Sequence, residues 1–187
     1  IKTVQEGKFD ALFLMSPKWL PKESLTSLEQ TKFSITVANE FYALKKFATN
    51  QSYFDNVEKL SKAGVLGYSY KFANYNIDES FLRNKHRMIL TKSELHVAKM
   101  LLLERAEIGI LGNLASSYFK KTNSINMELL YKSAIPDQTY NTAFLVNKNS
   151  NKITSVKFDQ ILELKIVKQK LNTLFLKYGI TSAVNSW

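Results

Sequence analysis

The 187-residue sequence contains no cysteine and only two histidines, His86 and His96. The absence of cysteine excludes disulfides, zinc sites built on thiolates and thiol catalysis. The two histidines lie on either side of a predicted strand, and carboxylates that would have to complete a metal site are at unsuitable spacings. We therefore predict no metal site and no cofactor, and we expect His96 to be a half-buried structural residue.

Motifs of catalysis and of membrane spans are also missing. The chain has no Gly-x-Ser-x-Gly elbow, no phosphate-binding loop and no pair of histidines. Two carboxylates near predicted strands, Asp10 and Glu107, are expected to lie far apart, so paired acid–base catalysis has no support. No apolar run approaches the ~18 residues that a transmembrane helix needs. We predict a globular protein that is not an enzyme and has no catalytic residues.

Basic residues outnumber acidic residues, 26 to 16, which gives a formal net charge of +10. Such an excess suits nucleic acid, anionic lipid or an acidic ligand. The lysines are scattered, however, and no block of five or more occurs. Because the chain has neither a recognised motif nor a basic stripe, we predict that it does not bind nucleic acid.

Residues 91–113 predict a helix followed directly by a strand. Ser93 is a candidate N-cap, and apolar residues then recur at helical spacing through Leu102. Residues 108–111 form a short apolar run that is typical of a buried parallel strand. Ligands of open α/β sheets bind outside the carboxyl ends of strands, so Asn113, just after this run, is a candidate ligand residue.

Short apolar strands alternate with helices along the rest of the chain. Strands are predicted at residues 10–15, 33–36, 40–48, 65–68, 87–90, 129–132 and 140–147. Helices are predicted at residues 1–7 (the end of one), 24–29, 53–62, 78–84 and 114–121, with two more between 155 and 178. The three strands and two helices within residues 65–111 indicate βαβ units, so we predict an α/β fold.

Five stretches, in this order along the chain, carry a family resemblance. The first two are EGKFDA (6–11), which is similar to the family's helix end and strand "GkiDa", and FSITV (33–37), which is similar to "FS-x-P-Y". The next two are VEKLSKAGVLG (57–67), which is similar to "L-x-dLkGkkVgv", and MLLLERAEIGI (100–110), which is similar to "aLxxGrvDaai". The last is the stretch 165–179, which is similar to a closing helix that ends in "I-x-x-kYG". The ordered set resembles the extracellular solute-binding proteins of family 3, the periplasmic receptors of amino-acid-type ABC transporters.

The resemblance implies a two-lobe periplasmic-binding-protein-like fold of type II. Each lobe would be a mostly parallel sheet flanked by helices, and two crossing strands would join the lobes. Residues 1–46 would form part of lobe one, residues 47–130 lobe two, and residues 131–187 the return to lobe one with the C-terminal helices. The family has a strand, a helix and a strand before the residues that match Ile1, so we expect that part of the fold upstream.

The chain departs from the family where the family holds amino acids. An arginine after the strand at 10–15 clamps the ligand carboxylate in the family, but here Lys18 or Lys22 would supply only a point charge. The family's acid for the ligand ammonium falls on Gly112 or Asn113. We therefore expect a ligand other than a standard amino acid. Ser69 matches a small hydroxyl residue that holds an anionic group at a helix start.

The candidate ligand residues follow predicted strands or are aromatic. Tyr68 and Tyr70 come after the carboxyl end of a strand, and aromatic rings either clamp a flat ligand or pack in the core. Thr91 and Ser93 mark a second strand-to-helix junction, which is either an anion site or a plain helix cap. The full set of predicted ligand contacts is Trp19, Tyr42, Tyr68, Ser69, Tyr70, Thr91, Lys92, Ser93 and Asn113.

The sequence and the resemblance together predict a monomeric, periplasmic or secreted solute-binding protein, made from a precursor with a signal peptide. It would close on a small polar molecule between two lobes and deliver it to the membrane permease of an ABC transporter. The alternative is a ligand-sensing or accessory domain of the same fold in a signalling system.

Overall fold

The computed structural model describes residues 9–180. These residues form seven strands, six α-helices and five short 3₁₀ helices. The predicted helix end at residues 1–7 lies outside the described residues. In chain order the strands and α-helices are β1 (Ala11–Met15), α1 (Lys22–Leu25), β2 (Leu28–Leu44), β3 (Lys62–Val65), α2 (Glu79–His86), β4 (Met88–Thr91), α3 (Glu94–Leu102), β5 (Ile108–Gly112), α4 (Asn113–Thr122), β6 (Leu130–Lys132), β7 (Gln138–Asn147), α5 (Ser155–Glu163) and α6 (Lys165–Lys177).

The chain divides into two compact units, which we call unit 1 (residues 1–37 with 140–187) and unit 2 (residues 38–139). Two strands, β2 and β7, each have residues in both units and connect them. The predicted lobe-two range, residues 47–130, lies inside unit 2. The alternation of strands and helices confirms the predicted α/β class.

In unit 2, β3 is the central parallel strand. It pairs in parallel with β4 on one side and with β5 on the other. β5 pairs antiparallel with β2, which also pairs antiparallel with β6. Because β3, β4 and β5 run in the same direction, their last residues lie at one end of the sheet. We call this end, with residues 66–70, 91–94 and 112–113, the carboxyl edge.

Every residue of β5 is buried, because helices and loops cover both faces of the unit 2 sheet. Successive side chains of a strand point to opposite faces, so Leu111 packs in one apolar cluster while Ile108 and Ile110 pack in the other. The first cluster contains α3 and α4 residues such as Val97 and Phe119. This double burial explains the continuous apolar run of the β5 sequence.

Unit 1 is built around aromatic contacts. The Phe144 ring on β7 lies 6.1 Å from Phe33 on β2 and 4.9 Å from Phe158 on α5, between ring centroids. Phe175 on α6 stacks on Phe33 with the centroids 6.3 Å apart. β1 pairs antiparallel with β7. The two helices predicted between residues 155 and 178 are confirmed as α5 and α6.

The predicted helix at residues 53–62 is wrong. Residues 51–54 and 57–59 form separate 3₁₀ helices, and β3 already begins at Lys62, three residues before the predicted strand at 65–68. The Asn50 side chain caps the first 3₁₀ helix by accepting a hydrogen bond from the Ser52 N–H. The buried Lys62 side chain holds the end of the second one, as described below.

Two further predictions are corrected in the long strand β2. The strands predicted at residues 33–36 and 40–48 are one continuous strand, because residues 31–37 alternate between buried and exposed or half-buried positions without interruption. The helix predicted at residues 24–29 ends at Leu25, and β2 begins at Leu28.

Lys62, the first residue of β3, is fully buried. Its ammonium group donates hydrogen bonds to the carbonyl oxygens of Leu60 at 2.7 Å, of Glu58 at 3.2 Å and of His86 at 3.2 Å. These carbonyls replace the water that the ammonium loses. Burial, with a smaller contribution from the Arg87 charge, still lowers the Lys62 pKa from 10.5 to about 8.

The lowered pKa of Lys62 makes stability depend on pH. Between the folded and unfolded pKa values of Lys62, the folded protein binds fewer protons than the unfolded chain, so this group stabilises the fold increasingly as pH rises. The unfolding free energy of the wild type relative to Lys62→Met should rise by roughly 1.5 kcal/mol from about pH 7.5 to about pH 9.5. Urea unfolding at both pH values measures this change, and a pH-independent difference would contradict it.

The Tyr70 hydroxyl is another polar group that unit 2 buries. It accepts a hydrogen bond from the Val65 N–H at 2.7 Å and donates one to the Val65 carbonyl at 3.2 Å. Tyr70→Phe should destabilise the protein by about 1–3 kcal/mol, because the Val65 N–H stays buried without a partner. The control is Tyr131→Phe, where no hydroxyl bond within the described residues is lost. Equal unfolding free energies for the two variants would show that the Tyr70 bond contributes nothing.

Candidate ligand-binding site

The carboxyl edge of unit 2 holds seven of the nine residues that the sequence predicts as ligand contacts. They follow β3 (Tyr68, Ser69 and Tyr70), end or follow β4 (Thr91, Lys92 and Ser93), or follow β5 (Asn113). The strand-end argument therefore placed residues from three separate stretches of the chain at one end of one sheet. The structure differs from the predictions in what their side chains do there.

The side chains of three aromatic residues that the sequence predicts as ligand contacts lie away from the carboxyl edge. The Tyr70 side chain is in the core of unit 2, with 1% of its surface exposed. Tyr42 is also buried, near the end of β2, and its hydroxyl donates to Glu40 Oε2 at 2.8 Å. Trp19 lies in unit 1, edge-to-face with Tyr140 at a centroid distance of 4.9 Å. Large rings fill cores efficiently, so at the carboxyl edge the predicted aromatic clamp is reduced to Tyr68.

At the end of β4, the side-chain hydroxyl groups form hydrogen bonds with backbone N–H and carbonyl groups. Ser93 is the N-cap of α3, as predicted: its Oγ accepts a hydrogen bond from the His96 N–H and lies 2.8 Å from His96 Nδ1. The Thr91 hydroxyl is within hydrogen-bond distance of the carbonyls of Gly64 and Ser93. This junction is therefore a helix cap. His96 is exposed, which corrects the prediction of a half-buried residue, and Lys92 is exposed beside it.

The N–H groups that follow Ser69 already hold a carboxylate of the chain. The Lys71 N–H donates to Asp137 Oδ2 at 2.8 Å, and the Phe72 N–H donates to Asp137 Oδ1 at 2.9 Å. Next to it, Gln138 Nε2 donates to the Ser69 carbonyl at 2.8 Å. These two N–H groups are therefore taken, and an anionic ligand group would have to displace Asp137 to reach them.

Glu94, the first residue of α3, brings a second carboxylate to the carboxyl edge. Its Oε1 accepts a hydrogen bond from the Gly112 N–H at 2.6 Å. A Cβ atom at residue 112 would lie 2.8 Å from this oxygen, so the glycine is what allows the carboxylate to approach. The other oxygen, Oε2, has no hydrogen-bond partner among residues 9–180. Burial raises the pKa of Glu94, and the hydrogen bond from Gly112 partly offsets this rise.

The Tyr68 ring lies near this carboxylate and is 43% exposed. The pKa of Tyr68 is raised by burial and, to a smaller extent, by the negative charge of Glu94. The carboxyl edge therefore combines an accessible aromatic ring with a carboxylate that has one unused oxygen. These are groups that attract a cation.

Asn113 connects the carboxyl edge to a separate polar cavity. Its Oδ1 accepts a hydrogen bond from the Ala38 N–H at 3.0 Å. Asn113 and Tyr42 also line a cavity of about 380 Å³ beside α4 and β6. Two of the charged groups that line this cavity form an ion pair, since Lys132 Nζ donates to Glu40 Oε1 at 2.9 Å.

Sequence reasoning missed both carboxylates of the carboxyl edge. Glu94 had a local signal, because it directly follows the predicted cap Ser93 at a strand-to-helix junction. Asp137 had no such signal: it contacts N–H groups more than 60 residues earlier in the chain. Contacts at that separation depend on strand order, which local patterns do not contain.

Within residues 9–180, no group of three or more His, Asp or Glu side chains is arranged to hold a metal ion. The described helices also include none with the length and hydropathy of a membrane span. The absence of a metal and of a cofactor stays a prediction from the sequence.

No family model matches the chain, and no curated protein matches it either. Solved structures do. A histidine kinase sensor domain with similarity to periplasmic binding proteins has a TM-score of 0.63 at 11% identity, over 95% of this chain and 72% of that chain. The second substrate-binding domain of a putative amino acid ABC transporter from Streptococcus pneumoniae has a TM-score of 0.62 at 14% identity. The match covers 95% of this chain and 76% of that domain.

The L-cystine solute receptor of Neisseria gonorrhoeae, unliganded and open, has a TM-score of 0.59 at 18% identity, over 96% of this chain and 73% of the receptor. Identities this low show a common fold and nothing about the ligand. The chain is thus an α/β protein with the fold of periplasmic-binding-protein-like domains, which confirms the predicted fold class.

Proposed function

We propose that this chain is the ligand-binding part of a solute-binding protein and that the carboxyl edge of unit 2 contacts a small polar ligand. The observation that carries the proposal is the meeting of three parallel strand ends, β3, β4 and β5, at one polar edge. Open α/β sheets bind ligands outside the carboxyl ends of their strands. The fold neighbours include proteins described as solute receptors and substrate-binding domains.

Several groups at this edge are available to a ligand. The Ser69 hydroxyl, Glu94 Oε2 and Asn113 Nδ2 have no hydrogen-bond partners among the described residues, and the Tyr68 ring is 43% exposed. A few well-placed polar groups beside an aromatic surface are typical of small-molecule sites. Thr91 and Ser93 serve mainly to hold the β4–α3 junction in place, so we assign them a positioning role.

The remaining parts of the proposal rest on the family resemblance of the sequence and on the chain's departures from it. They are a ligand other than a standard amino acid, a monomer in the periplasm or outside the cell, and delivery to a membrane permease. Closure of two lobes on the ligand stays a prediction from the family resemblance. A binding role, and not an enzymatic one, agrees with fold neighbours that are described mostly as receptors and substrate-binding proteins.

Unit 1 supports the expectation that a further segment of the fold lies upstream. β1 has the apolar sequence ALFLM, but none of its five residues is buried. Phe13 is 61% exposed. Among the described residues β1 pairs only with β7, so its other edge has no strand partner within residues 9–180. We propose that upstream strand and helix residues cover this apolar strand, since an exposed apolar edge strand promotes aggregation.

A sensor domain is the second candidate, because one fold neighbour is a histidine kinase sensor domain with a TM-score of 0.63. The two candidates use the same kind of ligand contact and differ in what they are connected to. Sequencing the complete open reading frame separates them: a kinase or cyclase domain in the same polypeptide would favour the sensor.

The test of the proposed function is ligand binding by the purified protein. We expect at least one compound in a panel of amino acids, organic acids, amines and small peptides to raise the melting temperature. A ligand at a hundred times its Kd stabilises the fold by about 2.7 kcal/mol, which is a measurable shift. Native mass spectrometry checks for a bound molecule in the protein as purified.

Variants locate the binding site. The double substitution Tyr68→Ala with Ser69→Ala should weaken binding at least about tenfold, or about 1.4 kcal/mol, because it removes a ring and a hydroxyl from the carboxyl edge. Tyr118→Ala, which removes a partly exposed ring of α4 outside this edge, is the matched control. Equal weakening by both variants, or no binding by folded protein across the whole panel, would refute the proposal.

A further inference from the structure

We infer that the ligand of the carboxyl edge is a small organic cation that lacks a carboxylate and has a neutral hydrogen-bond acceptor beside its charged nitrogen. Glu94 and Tyr68 would hold the cation, Asn39 would donate to the acceptor, and Asp137 would exclude ligands with a carboxylate. The inference rests on the proposed function and specifies the ligand class of that same site.

The free oxygen of Glu94 is the first argument. Oε1 is bound to the neutral Gly112 N–H, so this hydrogen bond brings no opposite charge to the carboxylate, and Oε2 stays open to another donor. No lysine or arginine among the described residues forms an ion pair with Glu94. A partly buried carboxylate attracts a cation more strongly than an exposed one, because less water screens the pair. An ammonium or guanidinium ion therefore supplies the missing partner.

The Tyr68 ring strengthens this preference for a cation. It lies close enough to Glu94 to respond to that carboxylate's charge, and 43% of its surface is exposed. The face of an aromatic ring carries partial negative charge and attracts cations within about 6 Å of its centre. A carboxylate and an accessible aromatic ring at the same strand ends suit an organic cation, whose charge is spread over polar and apolar atoms.

A buried amide group provides an independent observation. Asn39 is only 3% exposed, yet its Nδ2 has no hydrogen-bond partner. Asn39 pairs directly with Gly112 in the β2–β5 register, and paired residues have their side chains on the same face of the sheet. This is the face where the Glu94 carboxylate lies against Gly112. An unsatisfied buried donor is costly, so a ligand acceptor such as a hydroxyl or carbonyl oxygen is expected there.

Asp137 argues against a carboxylate in the ligand. Its two oxygens already occupy the N–H groups of Lys71 and Phe72, and the residue is 5% exposed. A ligand carboxylate would have to displace this group and leave a buried charge without these donors, which is strongly unfavourable. The carboxylates of both Asp137 and Glu94 also raise the pKa of Tyr70, so both lie near the same loop.

Matched pairs of compounds test the inference. Each pair differs only in the carboxylate, which is replaced by a neutral amide in one member: L-argininamide and L-arginine, L-leucinamide and L-leucine. Thermal-shift and calorimetric titrations of the full chain should show binding by at least one carboxylate-free member, with its amino acid at least about tenfold weaker. Amino acids that bind as tightly as their amides would overturn the inference and leave the proposed function standing.

Two carboxylate substitutions separate the roles of Glu94 and of general surface charge. Glu94→Gln should weaken binding of the carboxylate-free compound at least about tenfold, because the amide has no charge. The matched control is Glu104→Gln, an exposed carboxylate of unit 2 that pairs with Lys46, and it should leave affinity unchanged. Equal affinities of Glu94→Gln and wild type would overturn the inference.

Asp137→Ala tests the exclusion of carboxylates. It frees the Lys71 and Phe72 N–H groups, so the amino acid of the best pair should gain affinity relative to its amide. If this variant does not fold, amide NMR of the wild type gives the answer. Acetate should leave the Lys71 and Phe72 signals unchanged while the carboxylate-free compound shifts the Gly112 signal. Acetate shifts at Lys71 and Phe72 would overturn the role of Asp137. If no compound of the whole panel binds, the proposed function is refuted as well.

Discussion

Burial of the central strands of unit 2 on both faces is the constraint that organises this protein. β3 and β5 are buried throughout, so polar groups have room only where these strands begin and end. Lys62 is at the beginning of β3 and satisfies three carbonyl oxygens. Glu94 reaches the end of β5 at Gly112. The buried lysine and the carboxylate of the proposed site thus lie at opposite ends of the same sheet.

The two carboxylates of the carboxyl edge differ in how far the chain satisfies them. Asp137 has N–H donors on both oxygens, and it joins the loop after β3 to the start of β7. Glu94 has a donor on one oxygen only. A buried charge that is fully hydrogen-bonded holds structure together, whereas one with an open acceptor remains able to bind something else. This difference, more than the presence of acidic residues, is what points to a ligand.

The fold tolerates the loss of residues that a relative would use for its ligand, because the sheet depends on apolar periodicity and not on the strand ends. Identities of 11–18% with TM-scores near 0.6 fit this separation. Residues at strand ends can change while β3, β4 and β5 keep their pairing. A resemblance read from apolar patterns therefore predicts architecture, whereas ligand contacts depend on the residues at the strand ends.

The sequence by itself determined the α/β class, the capped helix α3 with Ser93 at its start, and the carboxyl ends where polar residues gather. These features depend on neighbours within a few positions, through helical spacing, strand alternation and N-capping. Only the tertiary structure decided that Tyr70 packs in the core, that residues 57–62 turn around a buried lysine instead of continuing a helix, and that Asp137 fills the donors after Ser69. Each of these depends on groups brought together by strand order, and a local pattern carries no information about a partner more than 60 residues away.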